Sequence, residues 1–185
     1  LPPILLSAGW DGGYAVGNLC EIAYNTSAMT PRVELRNVTA DDVPTLFEHQ
    51  NDPVVRSMAV IPHWPRDEFQ ARWEKHLASD AVCKRAIWAD GQLVGSILSF
   101  DRNGLREVGY AIGRTHWGQG IGSAALRQFL SCELARPLTA VVSAHNLASL
   151  QVAQKCGFVI SGERRETAAN GEESRLVILT LSAST

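Results

Sequence analysis

The residues with the most chemistry in them lie in one stretch, EVGYAIGRTHWGQGIGSAAL, residues 107–126. A strand-like segment ends near Arg114, and Gly118, Gly120 and Gly122 then fall at the expected start of a helix. Glycine lets a ligand approach the backbone closely. A helix start offers unpaired N–H groups and a partial positive charge. Together they make an anion site, most simply for a pyrophosphate, with donors from Gly118, Gln119, Gly120, Ile121, Gly122 and Ser123. A Walker loop would need Gly-Lys-Ser/Thr, and Gly122-Ser123 lacks the lysine. A dinucleotide fingerprint would need GxGxxG and an acid at the end of the next strand, but that strand closes on Val142-Ser143-Ala144. Tight strand–helix packing, with no ligand at all, is the remaining alternative for the glycines.

The rest of the chain limits what such a site can belong to. It has 185 residues, 45% of them hydrophobic, with 17 basic and 19 acidic side chains and a net charge of −2. That is enough for one domain with a full core, and too apolar for a disordered chain. Nucleic-acid binders usually carry a basic surplus, so no nucleic-acid partner is expected. No run of about 18 apolar residues is present, so no membrane partner is expected either. Cys20, Cys83, Cys132 and Cys156 form no CxxC pair. They read as free thiols of a reducing, cytoplasmic compartment, with no metal site. Residues 1–28 contain no Lys or Arg, and the first basic residue is Arg32. They lack the basic start and long apolar core of a secretory signal. They are therefore expected to be an extension ahead of the domain, upstream of the natural start, with the domain itself at 29–185.

The elements that must position the glycine loop follow from periodicity and turn chemistry. Residues 32–37 alternate as a strand. Thr39 with Asp41 and Asp42 opens a helix to about His49, which Asn51-Asp52-Pro53 ends. Pro62 and Pro65 bracket a loop, and Phe69, Trp73 and Leu77 mark a second helix. Residues 81–90 and 92–101 form a hairpin at Asp90-Gly91, and Asn103-Gly104 leads into a strand at 105–114. A helix at 119–134 buries Gly122, Ala125, Leu126, Phe129 and Leu130. A strand at 137–144, a helix from Asn146 to Cys156 stopped by Gly157, and a closing hairpin of 158–160 with 175–181 complete the order β-α-α-β-β-β-α-β-α-β-β. This order predicts an α/β (α+β) fold with a mixed sheet and helices on both faces.

Two segments one strand apart carry a family resemblance. Trp117-Gly118-Gln119-Gly120-Ile121-Gly122, and Asn146-x-x-Ser149 followed by Lys155-x-Gly157-Phe158, resemble motifs A and B of the GNAT N-acetyltransferases, most closely the RimJ/RimL-like branch. Trp117 stands where the family has Gln or Arg. Asp90-Gly91-Gln92-Leu93-Val94-Gly95-Ser96 and Asn170-Gly171 also fit, and the resemblance spans about residues 32–182. It implies a GNAT fold with a six- to seven-stranded, mostly antiparallel sheet. It also implies acetyl-CoA as co-substrate, an amine acceptor (a protein N-terminus or a small molecule) and direct transfer, with a homodimer left open.

The resemblance further implies site residues. The pantetheine arm would pair with backbone splayed from the next strand, at about Ala111, Ile112 and Gly113. Asn146 would bond that arm, although a helix cap is an equally ordinary task for it. Lys155 would approach a CoA phosphate, or simply face water. An amine with a pKa of about 10 must lose a proton before it attacks. Glu107 shares a strand face with Ala111 and takes the base role by resemblance. The alternative is a structural pair of Glu107 with an arginine such as Arg106 or Arg114, and Glu163 and Glu166 are rival bases. The leaving thiolate needs a donor. Many family members use a Tyr where this chain has Ala153, so the role falls to Ser149, the alternative being a hydroxyl bonded to its own backbone. His116 is expected to flank the phosphates or face water, Cys156 to be packed, and His63 and Trp64 to line the acceptor pocket or cap the core. A non-catalytic acetyl-CoA-binding module is the alternative function.

Overall fold

The computed structural model describes residues 30–59, 62–167 and 173–183. The 1–28 extension and the Asn170-Gly171 turn lie outside them. Seven strands form one sheet: β1 (Val33–Arg36), β2 (Cys83–Ala89), β3 (Gln92–Arg102), β4 (Leu105–Ile112), β5 (Leu138–Ser143), β6 (Val159–Thr167) and β7 (Glu173–Leu181). Their order is β1-β2-β3-β4-β5-β7-β6, and the β4–β5 pair is the parallel one. The helices are α1 (Val43–Asn51), α2 (Pro53–Ala59), α3 (Arg66–Ala78), α4 (Ile121–Phe129) and α5 (Leu147–Lys155). The expected mixed sheet and element types are present, with one extra helix.

Strand alternation divides the core in two. Ile87 and Ala89 of β2 pack with Ile121, Leu126 and Phe129 of α4, while Ala86 and Trp88 belong to the cluster of Leu46, Phe47, Phe69 and Trp73 from α1 and α3. The helices thus cover both faces. Both hairpins turn where their sequences promised: Asp90 and Gly91 have φ of 48° and 81°, Asn103 and Gly104 of 52° and 78°. Paired positive φ is the signature of a two-residue turn that matches strand twist.

Among the helices, two boundaries correct the sequence expectation. The chain between Asp52 and Pro62 contains α2, because Asp52 restarts the helix that it was expected only to end. Its Oδ1 accepts from Val54 N at 2.8 Å and Val55 N at 3.1 Å, with Pro53 in the first helical position. The helix after the glycine loop is 121–129 rather than 119–134. Ser131 Oγ and Cys132 Sγ donate to the carbonyls of Gln128 and Phe129 and close it off. Glu133 then turns inward, 5% exposed, to accept from Ser99 Oγ, from Arg106 Nε at 3.0 Å and Nη2 at 2.8 Å, and from Ala135 N at 3.0 Å.

Candidate active site

Strands β4 and β5 are in register only at Arg106–Leu138 and Glu107–Thr139, and beyond that they part. Thr139 Oγ1 donates to Arg106 O at 2.9 Å at this closed end. Gly113 N donates to Val94 O at 2.8 Å, which fixes the phase of the β3–β4 ladder. Antiparallel alternation then turns the backbone of Glu107, Gly109, Ala111 and Gly113 toward β3, and that of Val108, Tyr110 and Ile112 toward the gap. So the splayed strand is where it was expected, but Gly113 has no free N–H for a ligand. The residues with backbone facing the opening are Tyr110 and Ile112. Ile112 O already accepts from Trp117 Nε1 at 2.8 Å. Gly95 makes the approach of β3 possible, since a Cβ there would stand 2.1 Å from Ala111 O.

The glycine loop lies at the far end of β4. Gly120 caps α4 in the left-handed region at φ 77°, and Gly118 has φ 76°. Nothing stands within 4 Å of a Cβ built on either, so open space adjoins the loop. Among the described residues, Ala124 N is the first of the helix to find a backbone acceptor, Gly120 O at 3.1 Å. The N–H groups of Gly118, Gln119, Gly120, Ile121, Gly122 and Ser123 precede it, the donors an anion needs. Cys156 Sγ lies 3.7 Å from Ser123 O. The last turn of α5, with exposed Lys155, therefore stands beside the first turn of α4. Burial pushes the Cys156 thiol up, as suits a packed cysteine. His116 packs edge-on against His49 at 6.1 Å, and the His49 ring fills the place where a Cβ on Gly113 would stand.

A cleft of about 480 Å³ runs from the parted strands to α2 and α3. Glu107, Tyr110, Ala111, Asn146 and Ser149 line it together. Asn146 Oδ1 accepts from Ser149 N at 3.1 Å, so the cap role is present, and its Nδ2 donates to Met58 O at 3.1 Å. His145 reaches Ser57 O at 3.2 Å, and these two contacts hold α2 over the cleft. One N–H of the Asn146 amide is left over for a ligand.

Ser149 Oγ lies 3.0 Å from the Tyr110 hydroxyl. Sequence reasoning missed Tyr110, because its partner is 39 residues away. Burial pushes the phenol up, opposed by its bond to Ser149, so Tyr110 stays protonated and able to donate. The Glu107 side chain is 15% exposed, and its carboxylate faces Arg102 Nη1 at 3.7 Å. Neither Arg106 nor Arg114 is its partner: Arg106 is held by Glu133 and Asp101. Of the rival bases, Glu166 lines the cleft but pairs with Arg164 at 2.7 Å. Glu163 is exposed, outside the cleft, and pairs with Arg175. Trp64 lines the cleft while His63 faces water. Among the described residues no cluster of three or more His, Cys, Asp or Glu is placed to hold a metal, and no helix is long and apolar enough to cross a membrane.

The chain is similar in sequence and in overall fold to known proteins. The chain is 28% identical over 151 residues to the uncharacterized N-acetyltransferase p20 of Bacillus licheniformis, covering 74% of this chain and 84% of that protein. Its fold is similar to the spermidine N-acetyltransferase of Vibrio cholerae in complex with CoA and spermine. The TM-score is 0.71 at 18% identity, over 81% of this chain and 95% of that one. It is also similar to the Salmonella typhimurium protein yncA with its cofactor acetyl-CoA, with a TM-score of 0.70 at 17% identity, over 83% and 95% of the two chains. Residues 32–159 match the Acetyltransferase (GNAT) domain family, well over half of the chain, and the protein accordingly belongs to the GNAT acetyltransferases.

Proposed function

We propose that this protein transfers the acetyl group of acetyl-CoA directly to a primary amine, either a protein N-terminus or a small molecule. We place it in the RimJ/RimL-like branch, working in the cytoplasm on residues 29–185, with residues 1–28 outside the catalytic domain and a homodimer as a compatible assembly. The observation that carries the reading is the run of unpartnered N–H groups from Gly118 to Ser123, with open space at the glycines, beside two parted strands. That chemistry fits a pyrophosphate at the loop and an extended, amide-bearing arm in the gap.

Acetyl-CoA supplies an activated thioester. The chain's residues supply positions and protons. The backbone of Tyr110 and Ile112 meets the arm, and an N–H at this strand polarises the thioester carbonyl as an oxyanion donor does. Asn146 adds a side-chain bond, and Lys155 stands near the phosphates. Glu107 takes the proton that the ammonium must lose, directly or through water. Tyr110, bonded to Ser149, donates at the sulfur, in the place of the tyrosine that Ala153 replaces. The test is calorimetric binding of acetyl-CoA, together with CoA release over a panel of amines. Absence of donor binding overturns the reading. The rival, a non-catalytic acetyl-CoA-binding module, draws on the engagement of Glu107 by Arg102. Turnover of any amine removes it.

A further inference from the structure

We infer that the acceptor amine carries an anionic group, a carboxylate or similar small oxyanion, seated between Arg72 and Arg102. The inference rests on the acetyltransferase reading and gives that reading's substrate a chemical class.

The acceptor end of the cleft, away from the glycine loop, is lined by Arg72 of α3, Arg102 at the end of β3, and Arg164 of β6. Among the described residues it has two carboxylates, and each already faces an arginine: Glu107 lies 3.7 Å from Arg102, and Glu166 lies 2.7 Å from Arg164. Arg72 has no carboxylate within 4 Å among the described residues. Its guanidinium lies over the Trp64 ring at 5.2 Å. The local balance is therefore one positive charge in excess. Arg72 is also crowded by its own kind. Burial, and then the charge of Arg102, pull its proton affinity down, which is what two cations facing one partly dehydrated space do. His76, beside them, is held below its ordinary value by burial and by Arg72, so it adds no charge near neutral pH.

The third arginine of this end adds to its cationic lining. Among the described residues, Arg164 Nε is buried and has no hydrogen-bond partner, although the other end of its guanidinium holds Glu166. Buried donors are seldom left unmatched. Arginine forks suit planar oxyanions, which accept two parallel N–H bonds. An anion placed between Arg72 and Arg102 cancels the excess charge and relieves their repulsion. A polycation such as spermine meets the opposite field, so likeness of fold to the spermidine enzyme does not carry its substrate here.

The test uses the full chain with acetyl-CoA and matched acceptors: amino acids, the corresponding amides, and spermidine. CoA release is followed with a thiol reagent. The expected kcat/KM for carboxylate-bearing amines is at least tenfold above that for their amides and for spermidine. Arg72→Met, which keeps an apolar stem on Trp64, and Arg102→Met should each bring the carboxylate-to-amide ratio close to one. The ratio is internal to each variant, so loss of folded protein cancels. Equal or better use of amides or spermidine, or a ratio unchanged in both variants, overturns the inference while leaving the transferase standing. Calorimetry of the same amines with the protein–CoA complex separates the two claims. Carboxylate-dependent binding that Arg72→Met abolishes, without any transfer, supports the anion seat and overturns the transferase reading. Neither binding nor transfer overturns both.

Discussion

Gly120→Ala separates backbone strain from ligand approach, because the fold contains its own control. Gly120 has φ 77° and Gly104, in the β3–β4 turn, has φ 78°. Nothing lies within 4 Å of a Cβ built on either. Alanine at both positions therefore meets the same left-handed penalty and no clash, about 1–2 kcal/mol. For a domain of this size that lowers the melting temperature by about 2–8 °C in each variant. The two differ in what the open space is for. At Gly104 it is solvent. At Gly120 it adjoins the N–H groups that open α4, and a methyl there pushes an anion away from them. Loss of one hydrogen bond to a charged group is worth about 1.5–3 kcal/mol. Acetyl-CoA should then bind about 10- to 100-fold more weakly to Gly120→Ala. Calorimetric titration of acetyl-CoA into both variants and the parent, with melting curves on the same samples, reads both quantities. Equal donor affinity in Gly120→Ala and Gly104→Ala would refute the assignment of the loop as the pyrophosphate seat.

Tyr110→Phe keeps the buried ring and removes the hydroxyl bonded to Ser149. Turnover should fall about 10- to 100-fold with donor affinity unchanged, the value of one hydrogen bond at the reacting sulfur. Ser149→Ala should fall less, and unaltered turnover in both would remove the pair from the mechanism. Burial pushes the Glu133 carboxyl up, but Ser99, the Ala135 N–H and Arg106 together hold it below its ordinary value. Its contribution to stability is therefore complete above about pH 4.3, the unfolded value, and is lost as pH falls through the lower folded one. Urea midpoints of the parent should drop along that acid limb, while Glu133→Gln should be less stable by about 3 kcal/mol at neutral pH and flatter there. Parallel profiles would contradict the assignment. Asp52→Ala removes the cap of α2, worth about 1 kcal/mol. Amide exchange should accelerate at residues 53–59 with the sheet unchanged, and uniform acceleration would mean that α2 is not a separate unit.

What the sequence made legible was whatever is decided within a few residues. Asp90-Gly91 and Asn103-Gly104 fix their turns through their own φ preferences, and the glycines near 120 mark a helix start with no outside help. The loss was at places where two meanings share one signal. Asn51-Asp52-Pro53 both stops α1 and starts α2, and only the Asp52 side chain turning back on Val54 and Val55 tells which. The sequence placed β6 at 158–160 and β7 from Arg175, but both run longer, because the pairing of Glu166 with Ser174 and Thr167 with Glu173 holds polar residues that alternation alone would not assign to a strand. The candidate site was legible in its loop and its capping Asn146. It was not legible in its chemistry. Tyr110 meets Ser149 only once β4 and α5 are docked, and Glu107 finds Arg102 as a diagonal neighbour across the β3–β4 ladder, where Phe100 faces it directly.

The parting of β4 from β5 leaves two strand edges in the middle of a sheet rather than at its rim. One edge is the backbone of Tyr110 and Ile112. The other is that of Val141, between Ala140 and Val142, whose own backbone groups belong to the pairing with β7. An open edge ordinarily recruits another chain's strand, and with it aggregation. Here Met58 and Ala59 of α2 and Trp73 of α3 line the same opening, so side chains of the fold itself border the edge that a second protein strand would need. Under the acetyltransferase reading, an arm with its own amides meets this bordered edge, so the feature that invites self-association at a sheet's rim serves a ligand in its interior.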